Sequence, residues 1–560
     1  MGMYLASSTT LDSSTNQVLQ FNLSINALST LNSDQLAVES AQFQAQVLKS
    51  VPDLVPPEVK CTKIQHCDKK GVCAIVCQHG SVQVDQWLQK ALRLQRKLAY
   101  RRNLCSASLL GTHNSAISMA DGYGVEDHVF EGYLHYFSWF KKGMTVHTND
   151  QFFSLTDQLQ MGVRFIELDV HWFDGDLHIA HCGGFKSKLL DSMIEVFNDV
   201  AKLLGTGIEW DSGTIGCKPS LSSIPTKEQR PLKEALSELS TWLHAPEHQD
   251  EFLMVFFDDE TDLMRWKKVG KLLDYLKQFF LENEILRPID LVYQSKWPTI
   301  EELLLVGKRV MFMSGVDYLN IGEEILFVKD SICNWQEPIL PISPFPDCRF
   351  HGSESNFGIF DENFTILRPE TSEIEYGFLN AAGEIGINQN LLDESTLPGV
   401  VDCGVNLPSP DNLTPNRIKA TIWVVSDGKE LHPSECVALL RNAKTWQSVD
   451  CNTANLVPAC VNISNPRNWQ LGSMSVLEAE AVAACAALHL EMEYSAPASG
   501  FENELLYKQL MEHDVTFAAG VWLNAKTFVS EVYSTEQNEN LPSVHHTAPL
   551  SYVDDTIAVE

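Results

Sequence analysis

The sequence GVRFIELDVHW, residues 162–172, predicts a strand that carries two acidic side chains. Its apolar residues are mostly β-branched or aromatic, a composition typical of strands. Glu167 and Asp169 stand two positions apart, so both side chains point to the same face. Burying them is costly unless they bind a cation or pair with a base, for which Arg164 is the nearby candidate.

Other predicted strands, before and after this one, also end in polar side chains that could act in catalysis or bind a metal. These groups are His113 and Asn114 after residues 107–110, His181 at the end of residues 177–181, and Asp258 after residues 252–257. Amphipathic helices separate the strands, for example around Leu232, Leu236 and Leu239. Strands that alternate with helices predict a mostly parallel sheet, whose strands all end at one edge.

This pattern predicts an α/β fold, specifically a TIM-type (β/α)8 barrel, in which the active site lies at the carboxyl ends of the strands. We expect residues 96–530 to form it, following a flexible arm and Cys-rich accessory segment over residues 1–95. A polar tail is expected over residues 531–560. The pattern also predicts a helix capped by Asn149 or Asp150, and later strands at residues 420–425, 459–463 and 517–523.

The composition restricts the partners. The chain has 560 residues, 44% of them apolar, and 73 acidic against 41 basic residues give a formal charge of −32. So negative a surface repels nucleic acid and does not adhere non-specifically to anionic membranes. The sequence contains no run of about 18 apolar residues, so it predicts no transmembrane helix. An anionic lipid substrate would therefore need a bound cation or local basic groups, with only transient contact between protein and membrane surface.

The fourteen cysteines indicate an oxidising environment. One group spans residues 61–77 and another spans residues 436–485, and neither has the CxxC pairs of a zinc site. An even count in loop-like sequence favours disulfides. We therefore expect a protein of the secretory pathway or extracellular space, although the N-terminus shows no signal peptide.

Three motifs in this order resemble the X region of phosphatidylinositol-specific phospholipases C. They are LLGTHNS at residues 109–115, GVRFIELDVHW at residues 162–172 and LHIAHCGG at residues 177–184. The resemblance covers residues 104–315. Residues 316–530 are more divergent and resemble the short plant and fungal phospholipase-C-like phosphodiesterases, through GFENELL at residues 500–506 and VWLN at residues 521–524.

The resemblance implies a set of calcium ligands. Asp169 stands where metal-independent bacterial members have an arginine, as in the calcium-dependent eukaryotic members. By motif, Asn114, Glu167 and Asp169 match calcium ligands, and Asp258 matches a position that is usually glutamate. These are the hard oxygen donors that Ca²⁺ prefers. Asp259 is an alternative to the shorter Asp258.

The resemblance also implies a reaction. A hydroxyl next to the phosphodiester attacks phosphorus, with Glu167 as general base, His113 as hydrogen-bond donor to the developing phosphorane and His181 as general acid. Lys308 and Arg309 are candidate head-group ligands, although Met313 and Gly315 stand where the family has lysines.

Other interpretations remain open at this stage. The substrate could be a phosphoinositide, a glycosylphosphatidylinositol, a glycerophosphodiester or a sphingolipid head group, and the barrel could instead bind a glycan or lipid without catalysis. His171 and His178 are expected to be structural, and the tryptophans at positions 423, 469 and 522 to belong to the core.

Overall fold

The computed structural model describes most of the chain between residues 51 and 534. The ranges are 51–67, 73–124, 148–182, 226–259, 262–292, 296–351, 365–370, 391–452, 456–514 and 518–534, with single positions at 195, 198, 199, 202, 224 and 373. Residues 1–50 of the predicted arm and Cys-rich segment over residues 1–95, and most of the predicted tail, lie outside the described residues. The elements below all belong to one compact unit, residues 54–560.

Strands β1 (Lys63–Cys67) and β2 (Cys73–Cys77) form a small antiparallel pair near the start of the described chain. A mostly parallel sheet follows and forms the first layer. Its strands are β3 (Gly111–Thr112), β4 (Phe165–Phe173), β5 (Asp176–Ile179), β6 (Leu253–Asp258), β7 (Ile285–Leu286), β8 (Val310–Ser314) and β9 (Leu326–Val328). The parallel order is β3-β4-β6-β8, with β7 and β9 both parallel to β8 and β5 antiparallel to β4. Every strand of this sheet except β5 therefore runs in the same direction.

Backbone hydrogen bonds continue this parallel path beyond β3. Leu109 N donates to Asn406 O at 2.8 Å, and Leu407 N donates to Leu367 O at 3.1 Å. A parallel bridge then joins Leu367 to Gln336. Segment 406–410 thus lies beside β3 and segment 366–370 lies beside segment 406–410, although both are far away in sequence. Both bring their own side chains towards the carboxyl end of β3.

Helices cover this sheet and connect it to a second one. They are α1 (Gln86–Tyr100), α2 (Leu155–Gln160), α3 (Leu232–His244), α4 (Asp262–Arg265), α5 (Val269–Phe279), α6 (Pro288–Leu291), α7 (Ile300–Leu305), α8 (Leu397–Asp402), α9 (Pro415–Lys419), α10 (Ala481–Leu488), α11 (Gly500–Glu512) and α12 (Lys526–Tyr533). Short 3-10 turns occupy Met119–Asp121, Thr226–Glu228, Pro246–His248, Leu319–Ile321, Lys329–Ser331 and Glu478–Glu480.

The second sheet is mainly antiparallel. Its strands are β10 (Cys436–Leu440), β11 (Trp446–Val449), β12 (Leu456–Asn462), β13 (Asn465–Leu471), β14 (Met492–Tyr494) and β15 (Gly520–Leu523). Only the β12–β15 pair is parallel. Helix α1 lies between the two cores: Leu88 and Leu92 pack with the first, and Leu94 and Leu98 with the second. The tryptophans at positions 423, 469 and 522 are buried, as expected of core residues.

Two local predictions were wrong. The helix after residue 150 begins at Leu155, because the Ser154 side chain, not Asn149 or Asp150, caps its first turn by accepting from Asp157 N. Residues 420–425 are not a strand. Their backbone is held by the Gln95 side chain of α1, whose Oε1 accepts from Trp423 N at 2.8 Å, so a side chain takes the place of a neighbouring strand.

The cysteines form disulfides. The pairs are Cys61–Cys77, Cys67–Cys73, Cys105–Cys333, Cys348–Cys403, Cys436–Cys451 and Cys460–Cys485, and Cys182 is disulfide-bonded as well. This confirms the prediction of disulfides, which are typical of secreted and extracellular proteins. In the part of the chain that the structure describes, no helix has both the length and the apolar composition needed to cross a membrane.

Candidate active site

Three carboxylates meet at the carboxyl edge of the parallel sheet. The register of β4 and β6 places Asp169 directly beside Asp258, and Glu167 lies two residues earlier on the same face of β4. One oxygen from each of the three lies within 4.8 Å of the other two. Burial and the nearby charges of Asp258 and Glu167 raise the pKa of Asp169 well above its ordinary value. Such a group favours a bound cation, or protons in its absence.

Glu167 is also held by a buried arginine. Its Oε2 accepts a hydrogen bond from the Arg368 guanidinium and a second one, at 3.2 Å, from the backbone N of Asn114. Burial raises the pKa of Glu167 to about 7, although the positive charges of Arg368 and His113 oppose the shift. A carboxyl group that titrates near neutral pH can act as a general base.

Asn114 carries the amide expected of a cation ligand. Its backbone is in the left-handed region with φ 44°, which turns the chain sharply after β3. The side chain is 1% exposed, and neither its oxygen nor its nitrogen has a hydrogen-bond partner. A buried amide without a partner is costly, so the residues around Glu167 fit a hard cation that would accept this oxygen as a ligand.

His113, at the end of β3, is paired with an aspartate. Its Nδ1 lies 2.7 Å from Asp411 Oδ1, and Asp411 follows segment 406–410 on the neighbouring path. Burial alone would lower the pKa of His113, but the Asp411 carboxylate raises it well above the ordinary value. His113 is therefore an imidazolium at neutral pH, suited to stabilising negative charge on a bound anion.

His181 is in the opposite charge state. It directly follows Ala180, whose backbone N donates to Asp169 O at 3.2 Å, so the chain reaches the acidic cluster. Burial and the positive charge of His113 lower the pKa of His181 to about 4. The effect of His113 on His181 indicates that the two imidazoles are near enough to interact electrostatically, with His113 charged and His181 neutral at neutral pH.

The remaining histidines of this region have structural contacts, as expected. His178 Nδ1 lies 2.9 Å from the Gln229 carbonyl, and its ring stacks on Phe173 at 4.6 Å. Burial, followed by the charge of His181, lowers the pKa of His171 to about 3, so it remains neutral.

Two neighbouring residues, Arg164 and Asp259, have other partners. Arg164 pairs with Glu251 at 2.8 Å, so it is not the counterion of Glu167 or Asp169. Asp259, the alternative to Asp258, accepts from Leu263 N at 2.9 Å and so caps α4.

The structure does not bring the predicted head-group ligands Lys308 and Arg309 to this site. Both precede β8, at the amino end of the sheet, because the chain enters the strand there. Lys308 Nζ donates to Ile285 O at 2.9 Å, and Arg309 donates to the carbonyls of Leu243 and His248. These bonds fasten the amino end of β8 to its neighbours.

Four side chains of the site were missed from the sequence, namely Arg368, Glu370, Asp411 and Asp150. Arg368 bridges Glu167 and Glu370, and its contact with Glu370 is 2.6 Å long. The sequence does place Arg368 in the short run ILRPE at residues 366–370 and Asp411 in the short run LPSPD at residues 407–411. A charged residue in such an apolar or proline-rich run is the only local sign of a functional role. Nothing local in those runs tells which strand they lie beside.

Comparison with known proteins gives two relatives and no family. Both are from Mycobacterium tuberculosis, one from strain CDC 1551 / Oshkosh and the other from strain ATCC 25618 / H37Rv, and both bear the name "Uncharacterized protein". Each is 22% identical over 462 residues, which is 79% of this chain and 83% of the relative. No protein-family model matches the chain. No solved structure matches it either.

Proposed function

We propose that this protein is a phosphodiesterase similar to the phosphatidylinositol-specific phospholipases C, built on a (β/α)8 barrel. The main support is one juxtaposition: the His113 imidazolium and the cluster of Glu167, Asp169 and Asp258 meet through Glu167 at a single strand edge. Donors for a phosphate and donors for a cation thus lie side by side. The hydrogen bonds that continue the parallel path to segments 406–410 and 366–370 favour the barrel.

The residues present fit Ca²⁺. Asn114, Glu167, Asp169 and Asp258 would hold it, and a bound Ca²⁺ lowers the pKa of an attacking hydroxyl and offsets charge on phosphate oxygens. Arg368 neutralises Glu167, so the three carboxylates carry about two net negative charges, which matches a divalent ion.

The chain's own residues then divide the proton transfers. Glu167, with a pKa of about 7, takes the proton of the attacking hydroxyl. His113 donates a hydrogen bond to the phosphate oxygens through its outer nitrogen, while Nδ1 stays bonded to Asp411. His181 delivers a proton to the leaving alcohol. In the free pocket its pKa is about 4, so it needs the negative charge of a bound phosphodiester to become protonated.

Exposed apolar side chains support transient contact with a membrane surface. Trp266, Leu319, Ile321 and Ile339 all follow strands β6, β8 or β9 and are 49–71% exposed. They therefore belong to loops at the same end of the sheet as the site. The disulfides support action in the secretory pathway or outside the cell.

The test is hydrolysis of labelled phosphatidylinositol with and without a chelator. We expect chelator-sensitive turnover, and we expect His113→Ala and His181→Ala each to lower kcat at least about a hundredfold. His432→Ala is the matched control, because His432 is exposed and lies just before β10 of the second sheet. An unchanged kcat in either active-site variant would remove that residue from the mechanism.

A second substrate class is favoured by one observation. Met313 and Gly315 occupy the carboxyl end of β8, where the family has phosphate-gripping lysines, and Lys308 and Arg309 lie at the other end of that strand. Turnover only of other phosphodiesters, such as glycerophosphodiesters, would support this alternative. No turnover of any diester, with ligand binding retained in His113→Ala, would instead indicate a binding protein.

A further inference from the structure

A second group of unsatisfied polar atoms lies near His113, at Asp150 and Asn114. Asp150 is 0% exposed, and neither of its carboxylate oxygens has a hydrogen-bond partner. The Asn114 side chain lies beside Asp150 and interacts with its carboxylate, but neither side chain makes a hydrogen bond of standard geometry. Buried polar groups in proteins are almost always satisfied, and an unpaired buried carboxylate is especially costly. These atoms therefore need a partner that the side chains around them do not supply.

The backbone holds Asp150 in this position. Its amide N donates to Ile117 O at 3.0 Å, and its carbonyl accepts from Asn412 N at 2.6 Å. Asp411 precedes Asn412, so the same backbone contact brings the two carboxylates together. Asp150, Asp411 and His113 each offer one atom within 4.8 Å of the others.

The charge of the pocket points to more than one cation. The donor groups around His113 and Glu167 contain six carboxylates, those of Asp150, Glu167, Asp169, Asp258, Glu370 and Asp411. Among the described residues, His113 pairs with Asp411, and Arg368 pairs with Glu167 and Glu370. A second divalent ion beside Asp150 and Asp411 would offset more of this negative charge than one ion at Asp169 and Asp258 alone.

We propose a second site for a hard divalent cation, held by Asp150 and Asp411, with the Asn114 side chain between it and the site at Asp169 and Asp258. The protein would then bind two Ca²⁺ ions in one pocket. Carboxylate and amide oxygens are the donors that Ca²⁺ selects. His113 is not a ligand of the second ion, because its Nδ1 is bonded to Asp411 Oδ1.

The stoichiometry of calcium binding tests this directly. Equilibrium dialysis of the chelator-treated full chain is expected to give two Ca²⁺ ions per chain. Asp150→Asn should bind one, Asp169→Asn should bind the other one, and the double variant none. Asp427→Asn is the matched control, since Asp427 is exposed and pairs only with Lys419 at the surface, and it should bind two.

Two results would overturn the proposal: one ion per chain in the unaltered protein, or two ions retained by Asp150→Asn. Thermal melting in chelator checks folding, and Asp150→Asn should melt no lower than the unaltered chain because asparagine is neutral, of similar shape, and replaces a carboxyl group without a standard hydrogen bond. If that variant fails to fold, anomalous scattering from crystals of the unaltered protein soaked in Mn²⁺ decides, by showing either a peak or no peak at Asp150.

The outcome is independent of the proposed reaction, since binding is measured without substrate. Two ions without turnover of any phosphodiester would retain the second site and reject the phosphodiesterase. Turnover with a single ion would do the reverse.

Discussion

At the scale of single residues, the two imidazoles of the site have opposite charge states because their neighbours differ. His113 has a carboxylate at 2.7 Å, whereas at His181 burial and the positive charge of His113 outweigh the opposing effect of Glu370 on its pKa. Pairs of titratable groups with separated pKa values are the pattern by which acids and bases are assigned in active sites. Asp411 therefore controls which imidazole carries the proton.

We predict that Asp411→Asn changes the pH dependence of kcat/KM. Without the carboxylate, burial lowers the pKa of His113, so His113 loses its proton at lower pH. The basic limb of the profile should move to lower pH, with about a tenfold or greater loss at pH 8 and partial recovery on acidification. The stability from this pair, present below the ordinary histidine pKa and lost as pH rises through the raised one, should disappear as well.

A second buried-site aspartate provides the control. Asp262 also lies beside an imidazole, with 3.9 Å between its Oδ2 and His171 Nδ1, but His171 has no role in the proposed reaction. Asp262→Asn should leave the basic limb in place. If NMR titration shows the same His113 pKa in Asp411→Asn and in the unaltered protein, Asp411 does not set that charge.

The sequence predicted only the part of the site that is local to the strand ends. His113 directly follows β3, Glu167 and Asp169 lie on β4, and Asp258 ends β6. A motif and a parallel sheet therefore suffice to bring these four residues together. Arg368 reaches Glu167 across 201 residues, and Asp411 reaches His113 across 298. Such contacts depend on which distant segments lie beside β3, which no local periodicity encodes.

At the scale of elements, the disulfides close loops of very different length. Cys67–Cys73 spans 6 residues within the β1 (Lys63–Cys67) and β2 (Cys73–Cys77) hairpin, Cys61–Cys77 spans 16, and Cys105–Cys333 spans 228 and links the chain before β3 to the chain after β9. The entropy that a cross-link removes from the unfolded chain grows with the logarithm of the loop length. The three bonds should therefore stabilise the fold unequally.

We predict losses of about 2, 3 and 5 kcal/mol in unfolding free energy when the 6-, 16- and 228-residue loops are opened by paired Cys→Ala changes. Urea midpoints followed by tryptophan fluorescence measure them. The Cys67/Cys73 variant is the matched control for Cys61/Cys77, because both bonds belong to the same hairpin region. Equal losses in all three would show that local strain or packing, rather than loop entropy, determines the contribution.

The two elements that the sequence predicted wrongly are both decided by hydrogen bonds between a side chain and the backbone. Gln95 of α1 satisfies the backbone of residues 423 and 424, an apolar run that otherwise has the composition of a strand. In the same way Ser154 competes successfully for the cap of α2 because its neighbour Asp157 also binds the backbone N of Gly80 and Val82. Composition predicts a preference, and tertiary contacts decide between near-equal local choices.

At the scale of the whole molecule, the formal charge of −32 opposes the approach of the protein to an anionic membrane that carries the proposed substrate. The exposed apolar side chains named above, such as Trp266 and Leu319, favour contact with a lipid layer. An anionic layer nevertheless repels the rest of the protein. This repulsion acts over the Debye length, about 30 Å at 0.01 M salt and about 10 Å at 0.1 M. Salt should therefore promote encounter with anionic vesicles.

We predict that raising NaCl from about 10 to 150 mM, at fixed free Ca²⁺, lowers the apparent KM for anionic vesicles by about threefold or more and leaves kcat unchanged. Vesicles of zwitterionic lipid with a small fraction of the same substrate are the control. The apparent KM for these vesicles should hardly change with salt, because a nearly neutral surface repels the protein only weakly. A KM for anionic vesicles that rises with salt would contradict this expectation. It would mean that a local basic surface, rather than the net charge, determines how the protein meets the membrane.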